Sequence, residues 1–225
     1  MTIWFASGNI HKKKELVDIL SNEILSTDLL SVHFDLKTPA EIGLAFGPEE
    51  NGNTFLENAL IKAEALYNLL STSLKGWQAG EPIIADDSGI CVDALDGRPG
   101  IHSAYYARAG IKDTGLSSIE RNELLLAELG ANPQRSARFV CAMVLYYGPN
   151  RFFVAQECME GELIKDINAA RGSGGFGYDP ILLIPELGRT VAELTSEEKN
   201  RLSHRGKAGK AIMNFLFNEQ RGSGS

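Results

Sequence analysis

The chain lacks the features that would place it outside a reducing, aqueous compartment. Its 225 residues include only three cysteines, Cys91, Cys141 and Cys158, an odd number without regular spacing. That excludes a disulfide framework or a thiolate zinc site as the organising device. Cys91 and Cys141 lie in apolar runs and read as buried free thiols. No apolar run approaches the roughly 18 residues that a membrane-crossing helix requires. Met1 to Ala6 is too short and uncharged for a secretory signal. A cytoplasmic location fits these absences. Positive charge is also in deficit, because 22 Lys and Arg stand against 29 Asp and Glu, for a net charge of −7. A broad basic surface for nucleic acid is thereby excluded, although a polyanion can still be held by a local Lys/Arg cluster or through a metal ion. There is no internal repeat and no low-complexity linker. The P-loop signature is missing too, which leaves kinase or GTPase chemistry without support.

Hydrophobic residues make up 44% of the chain, enough for one substantial domain or two lobes sharing a sheet. Ile3 to Ala6 reads as a short buried strand, broken by Ser7-Gly8-Asn9 and followed by a helix over Lys12–Leu20, the start of an α/β unit. Glu41 to Asn53 is a loop. From Phe55 to Leu70, apolar residues fall at helical spacing (Leu56, Ala59, Ala63, Leu66, Leu70). Pro82 to Ala85 reads as a strand ending at Asp86-Asp87-Ser88-Gly89. A helix runs from near Ser117 to Leu129 and stops at Gly130. Phe139–Tyr147 and Arg151–Ala155 flank Gly148-Pro149-Asn150 as a β-hairpin, so the sheet is expected to be mixed. Ile181 to Ile184 is a further strand. Thr195 to Glu198 fits a capping box, and Lys207 to Asn218 is the last helix. We expect a single domain of two lobes over 1–220. Residues 221–225 read as a flexible tail or an appended remnant of expression.

Four polar clusters carry possible chemistry. In Ser7-Gly8-Asn9-Ile10-His11-Lys12, backbone N–H groups at a helix start attract phosphate and Lys12 adds charge; the plain alternative is a helix cap. In Asp86-Asp87-Ser88-Gly89, two carboxylates at a strand end can hold Mg²⁺ and activate water; the alternative is a turn. Glu49 and Glu50 could add metal oxygens, or simply form a solvated acidic loop. Gly172 to Gly177 matches the dinucleotide pattern by letter, but a strand follows where a helix is required, which rules that reading out. Glycines there let backbone approach a ligand, and Phe176 or Tyr178 could stack on a base or fold back into the core. In Lys199-Asn200-Arg201-Leu202-Ser203-His204-Arg205, a turn is expected near Ser203, and a charged exposed helix end is the plain alternative.

Taken in order, these segments resemble one family. The resemblance rests on Ser7-Gly8-Asn9 with Lys12 and Glu15, Thr54-Phe55-Leu56-Glu57-Asn58-Ala59 with Lys62-Ala63, and Ala85 to Val92 with Pro99-Gly100 and Ser103. It continues through Ala137-Arg138-Phe139, Gly174 to Pro180, Ala192-Glu193-Leu194, and Lys199-Asn200 with Ser203-His204-Arg205-Gly206. The chain is similar to the inosine triphosphate pyrophosphatases, which cleanse the nucleotide pool of ITP, dITP and XTP, over about residues 2 to 217. It departs from the pattern at Ser7, where many members have Thr, and at Tyr105, where Arg is common.

The resemblance implies an elongated, two-lobed α/β fold with a long mixed sheet flanked by helices and an active-site cleft between the lobes. It also implies a homodimer and Mg²⁺ as cofactor. Asp87 would be the catalytic base and a metal ligand, with Glu49 as second ligand and Glu50 its rival. Ser7, Gly8, Asn9, Ile10, His11 and Lys12, with Ser88 and Lys199, would hold the triphosphate. Phe176, Gly177, Tyr178 and Asp179, with His204 and Arg205, would hold the base. The expected reaction is Mg²⁺-dependent hydrolysis of a non-standard purine triphosphate to monophosphate and pyrophosphate, with neither nucleic acid nor membrane as partner. Rival readings are a pyrophosphatase for modified pyrimidine nucleotides and a non-catalytic nucleotide-binding protein.

Overall fold

The structure, a computed structural model, describes residues 1–26, 34–107, 115–174 and 177–222. Its strands are β1 (Thr2–Phe5), β2 (Asp35–Lys37), β3 (Ile83–Val92), β4 (Ser136–Gly148), β5 (Arg151–Leu163), β6 (Leu182–Ile184) and β7 (Arg189–Thr190). Its α-helices are α1 (Ile10–Ser26), α2 (Phe55–Ser73), α3 (Ser118–Leu129), α4 (Ser196–Leu202) and α5 (His204–Gly222). Ser223 to Ser225, the end of the segment read as a tail, lie outside the described residues. The strands form one seven-stranded sheet in the order β2-β1-β3-β4-β5-β6-β7. β1 runs parallel to β2 and β3, each reached through a helical crossover, whereas β6 is antiparallel to β5 and β7. The sheet is therefore mixed, as the hairpin led us to expect.

The chain divides into two compact units. The first is Met1–Asp87, Cys141–Glu157 and Arg205–Ser225; the second is Ser88–Val140 and Cys158–His204. In the first unit the strands are apolar on both faces, because helices cover both. Ile3, Phe5, Ile84 and Met143 pack with Leu16 and Leu20 of α1 and with Ile212 and Met213 of α5. Their sequence neighbours Trp4, Ala6, Ile83, Ala85 and Val144 pack with Ala59, Ala63, Leu66 and Leu70 of α2. Successive strand residues thus alternate between two cores, as the pleat requires.

The second unit packs Ile90 and Val92 of β3, Phe139 of β4 and Met159 and Leu163 of β5 with Leu125, Leu126 and Leu129 of α3, and with Tyr178 and Ile181. α3 begins where its sequence says it should. Ser117 Oγ accepts from the Glu120 N–H at 3.2 Å, and a Glu120 carboxylate oxygen accepts from the Ser117 N–H at 2.7 Å. The helix stops at Gly130.

Several expected boundaries fall short: the helix read to Leu20 runs to Ser26, the strand read to Ala155 runs to Leu163, and the helix read from Lys207 starts at His204. The one that matters for the site is in β3. The strand read as ending at Ala85 continues to Val92, so Asp86-Asp87-Ser88-Gly89 is extended chain and not a turn. Local propensity favours a turn there. Buried partners for both carboxylates override it, together with a close contact at Gly89. A Cβ on Gly89 would lie 2.4 Å from both the Gly100 carbonyl oxygen and Ser103 Oγ, so no larger residue fits.

Candidate active site

Because Asp86 and Asp87 lie within β3, their side chains leave the strand on opposite faces. They do not form a paired carboxylate site, which corrects the expectation that the two together hold one cation. Asp86 shares its face with Ile84, towards α1 and α5. Its Oδ2 accepts from Lys12 Nζ at 2.9 Å and from Arg205 Nε and Nη2 at 3.4 Å. Arg205 Nη1 also donates to Glu15 of α1. Asp86 and Arg205 are only 1% and 2% exposed, so ions placed here need full compensation. In formal charge they receive it: Asp86 and Glu15 balance Lys12 and Arg205. Burial opposes ionisation of Asp86, yet Lys12, Arg205 and Lys62 outweigh it and hold the carboxyl well below the usual range.

Asp87 shares its face with Ile83 and Ala85, towards α2. Its Oδ2 accepts from Asn58 Nδ2 at 3.1 Å, and its Oδ1 lies 3.4 Å from Lys62 Nζ. Asn58 and Lys62 are four residues apart and so on one side of α2. Lys62 also donates to Glu50 at 2.8 Å. This group, Asp87 and Glu50 against Lys62, carries one uncompensated negative charge. Burial pushes the Asp87 carboxyl up, the charge of Glu50 adds to the shift, and Lys62, Asn58 and Lys12 pull it down without cancelling it. Lys62 is itself penalised by burial, but Asp87, Asp86 and Glu50 keep it protonated. A desolvated carboxylate with raised basicity is a group chemically able to take a proton from water.

The donor set also fits a hard cation. Asp87 and Glu50 present carboxylate oxygens, which Mg²⁺ prefers, and they already share one positive group in Lys62. Glu50 is the member of the acidic pair that meets this group. Glu49 is exposed.

The Ser7–Lys12 segment is a capped helix start. Asn9 Oδ1 accepts from the His11 and Lys12 N–H groups at 2.9 and 3.2 Å, and Ser7 Oγ accepts from the Asn9 N–H at 3.1 Å. The Lys12 ammonium leaves this cap for Asp86. Gly8 and Ile10 are exposed, Ile10 to 75%.

The remaining candidate residues belong to the second unit. Ser88 is half-buried. The Gly177 carbonyl accepts from Asn122 Nδ2 at 3.2 Å. Tyr178 is 5% exposed and its hydroxyl donates to the Ser103 carbonyl at 2.9 Å, so this ring is one that folds back into the core. Asp179 is buried and pairs with Lys199 at 2.9 Å. The expected turn at Ser203 separates α4 from α5. His204, buried, stacks on Phe139 with ring centroids 5.0 Å apart. The segment for which a charged exposed helix end is the plain alternative therefore buries its last three members, Ser203, His204 and Arg205. Phe176 lies outside the described residues.

Sequence reasoning left Lys62, Asn58 and Glu15 without roles. All three stand in the quoted motifs, and the i, i+4 spacing of Asn58 and Lys62 was the available signal. Nothing local in the sequence marks Asp86 as the partner of Arg205.

A mixed α/β sheet, a desolvated carboxylate on β3 and lysines from two helices are compatible with a hydrolase. Residues 3–215 match the model of the Ham1 family. A dITP/XTP pyrophosphatase of Treponema denticola is 44% identical over 216 residues, covering 96% of this chain and 98% of that protein. One from Bacillus subtilis is 38% identical, covering 94% of each. A HAM1 protein from Coxiella burnetii has a solved structure that superposes with a TM-score of 0.77 at 32% identity, covering 97% of this chain and 99% of that one. The chain belongs to the Ham1 family.

Proposed function

We propose that this chain hydrolyses non-standard purine nucleoside triphosphates, dITP, XTP and ITP, to the monophosphate and pyrophosphate with Mg²⁺ as cofactor. Kinship makes it a nucleoside triphosphate pyrophosphatase, a hydrolase. The relatives from Treponema denticola and Bacillus subtilis are dITP/XTP pyrophosphatases, which points to dITP and XTP as substrates. The observation that carries the chemistry is Asp87, buried, raised in basicity and set beside the Glu50–Lys62 pair.

Asp87 takes the proton of the attacking water, and Lys62 holds its carboxylate while that charge is exchanged. Lys12, anchored on Asp86, offsets charge developing on the leaving pyrophosphate. Asp87, with Glu49 as the resemblance implies or with Glu50, which meets Lys62, would hold Mg²⁺, which when bound would neutralise phosphate oxygens and help align the α-phosphorus for attack. From the family resemblance we assign Ser7 to Lys12, Ser88 and Lys199 to the triphosphate. Gly177 to Asp179 and His204 are assigned to the base. The resemblance would add Arg205 to the base, but its guanidinium is committed to Glu15 and Asp86, and we take its role as structural.

The test is a panel of triphosphates with Mg²⁺, scoring the phosphorus product. We expect dITP, XTP and ITP to be turned over well ahead of dATP and of pyrimidine triphosphates. Preference for a modified pyrimidine would transfer the activity to the rival class, and no turnover at all would leave a binding protein.

A further inference from the structure

The segment from Thr54 to Ala59 stands out in the sequence, yet the reaction outlined above gives it no task. The structure supplies one. Thr54 caps α2, its Oγ1 accepting from the Glu57 N–H at 3.1 Å. Glu57 reaches back to the Asn53 N–H at 2.5 Å. Asn58, 2% exposed, makes two bonds in opposite directions. Its Oδ1 accepts from the Gly52 N–H at 2.9 Å, and its Nδ2 donates to Asp87 Oδ2 at 3.1 Å. The orientation of this amide is fixed by chemistry. A backbone N–H can only donate, so Oδ1 must face Gly52, and Nδ2 is left for a carboxylate that can only accept. The loop presses close: a Cβ on Gly52 would lie 2.6 Å from Glu57 Cβ and 2.8 Å from Asn58 Oδ1. Glu50 lies two residues before Gly52.

We propose that Asn58 is a positioning residue that ties the Glu50-bearing loop to Asp87, so that the two carboxylates are presented to a divalent cation as one preformed unit. This rests on reading Asp87 and Glu50 as the cation's ligands. The amide does what a second carboxylate at this position cannot. It accepts from the loop and donates to the carboxylate at once, without adding charge. Outer partners of this kind typically contribute about 10- to 100-fold to metal affinity or activity.

Two variants separate the two bonds. Asn58→Asp keeps an oxygen for Gly52 but sets a negative group against Asp87. Asn58→Ala removes both bonds. The readouts are hydrogen exchange of the Gly52 amide and calorimetric affinity for Mn²⁺ in the substrate-free protein, then kcat and KM for dITP, all measured well below each variant's Tm. In Asn58→Ala we expect faster Gly52 exchange, Mn²⁺ affinity lower by about 10-fold or more, and a fall in kcat larger than the change in KM. In Asn58→Asp we expect Gly52 protection to survive while kcat falls. Unchanged Gly52 exchange in Asn58→Ala, or its wild-type Mn²⁺ affinity, would overturn the proposal. If the wild-type protein turned over no triphosphate, the functional reading would fail, and the exchange and Mn²⁺ measurements would still decide the role of Asn58.

Discussion

At the scale of single residues, the two neighbouring aspartates have opposite tasks because the pleat sends them to opposite faces. Asp86 is a structural anion, neutralised and dry. Asp87 keeps a share of solvent and a raised proton affinity. Asp87→Asn keeps size and one oxygen but loses the base, so turnover should fall about 10²-fold or more with little loss of fold. Wild-type activity in that variant would remove Asp87 from the mechanism. Arg205→Met should behave differently. It removes the guanidinium from Glu15 and Asp86 and leaves Asp86 with Lys12, and breaking a buried ion pair in this way typically costs about 3–5 kcal/mol. We expect a lower Tm and kcat/KM values for ITP and ATP that fall by the same factor. A selective loss on ITP would instead make Arg205 a reader of the 6-keto group. The residue types at this site were legible in the sequence, but their pairing was not. Asp86 meets Lys12 and Arg205 across 74 and 119 residues of chain, and Asp87 meets Asn58 and Lys62 across 29 and 25. No local pattern encodes such contacts.

At the scale of elements, local signals succeeded where the chain writes its own boundaries. α3 starts at a capping box and ends at a glycine, and the same logic placed the start of α4 at Thr195. The hairpin was legible from Gly148-Pro149-Asn150, where Asn150 has a φ of 63°. Strand β3 was not legible past Ala85, because polar residues in a strand look like a turn until their partners are known. Arg135 was missed for the same reason. It is buried, and its guanidinium donates to the carbonyls of Gly130, Leu163 and Ile164, closing the end of α3 onto β5. The α4 cap makes a testable statement about acid. Glu198 is held down to about 2, chiefly by its bond from Arg189, then by the Thr195 N–H. A carboxyl with a lowered folded-state pKa stabilises above its unfolded value, near 4.5, and loses that contribution as pH falls towards about 2. Glu198→Gln should therefore have a lower Tm than wild type at pH 7, with the gap closing over that window. A gap that persists unchanged at pH 2 would contradict the assignment.

At the scale of the molecule, one sheet carries residues of both compact units, and the charged network of the first is assembled from α1, α2, β3 and α5. No described helix is long and apolar enough to cross a membrane. We expect two copies of the 24.5 kDa chain to associate, as is commonest for oligomeric enzymes. Light scattering at micromolar concentration should give twice the chain mass, and a single chain's mass would contradict this. The central claim is that the Asp87 centre directs water at the α-phosphorus of a non-standard purine triphosphate. The most direct test is ³¹P NMR of dITP incubated with the protein and Mg²⁺. We predict that dIMP and pyrophosphate rise together from the first time point, with no dIDP. Release of orthophosphate with accumulation of dIDP would contradict it.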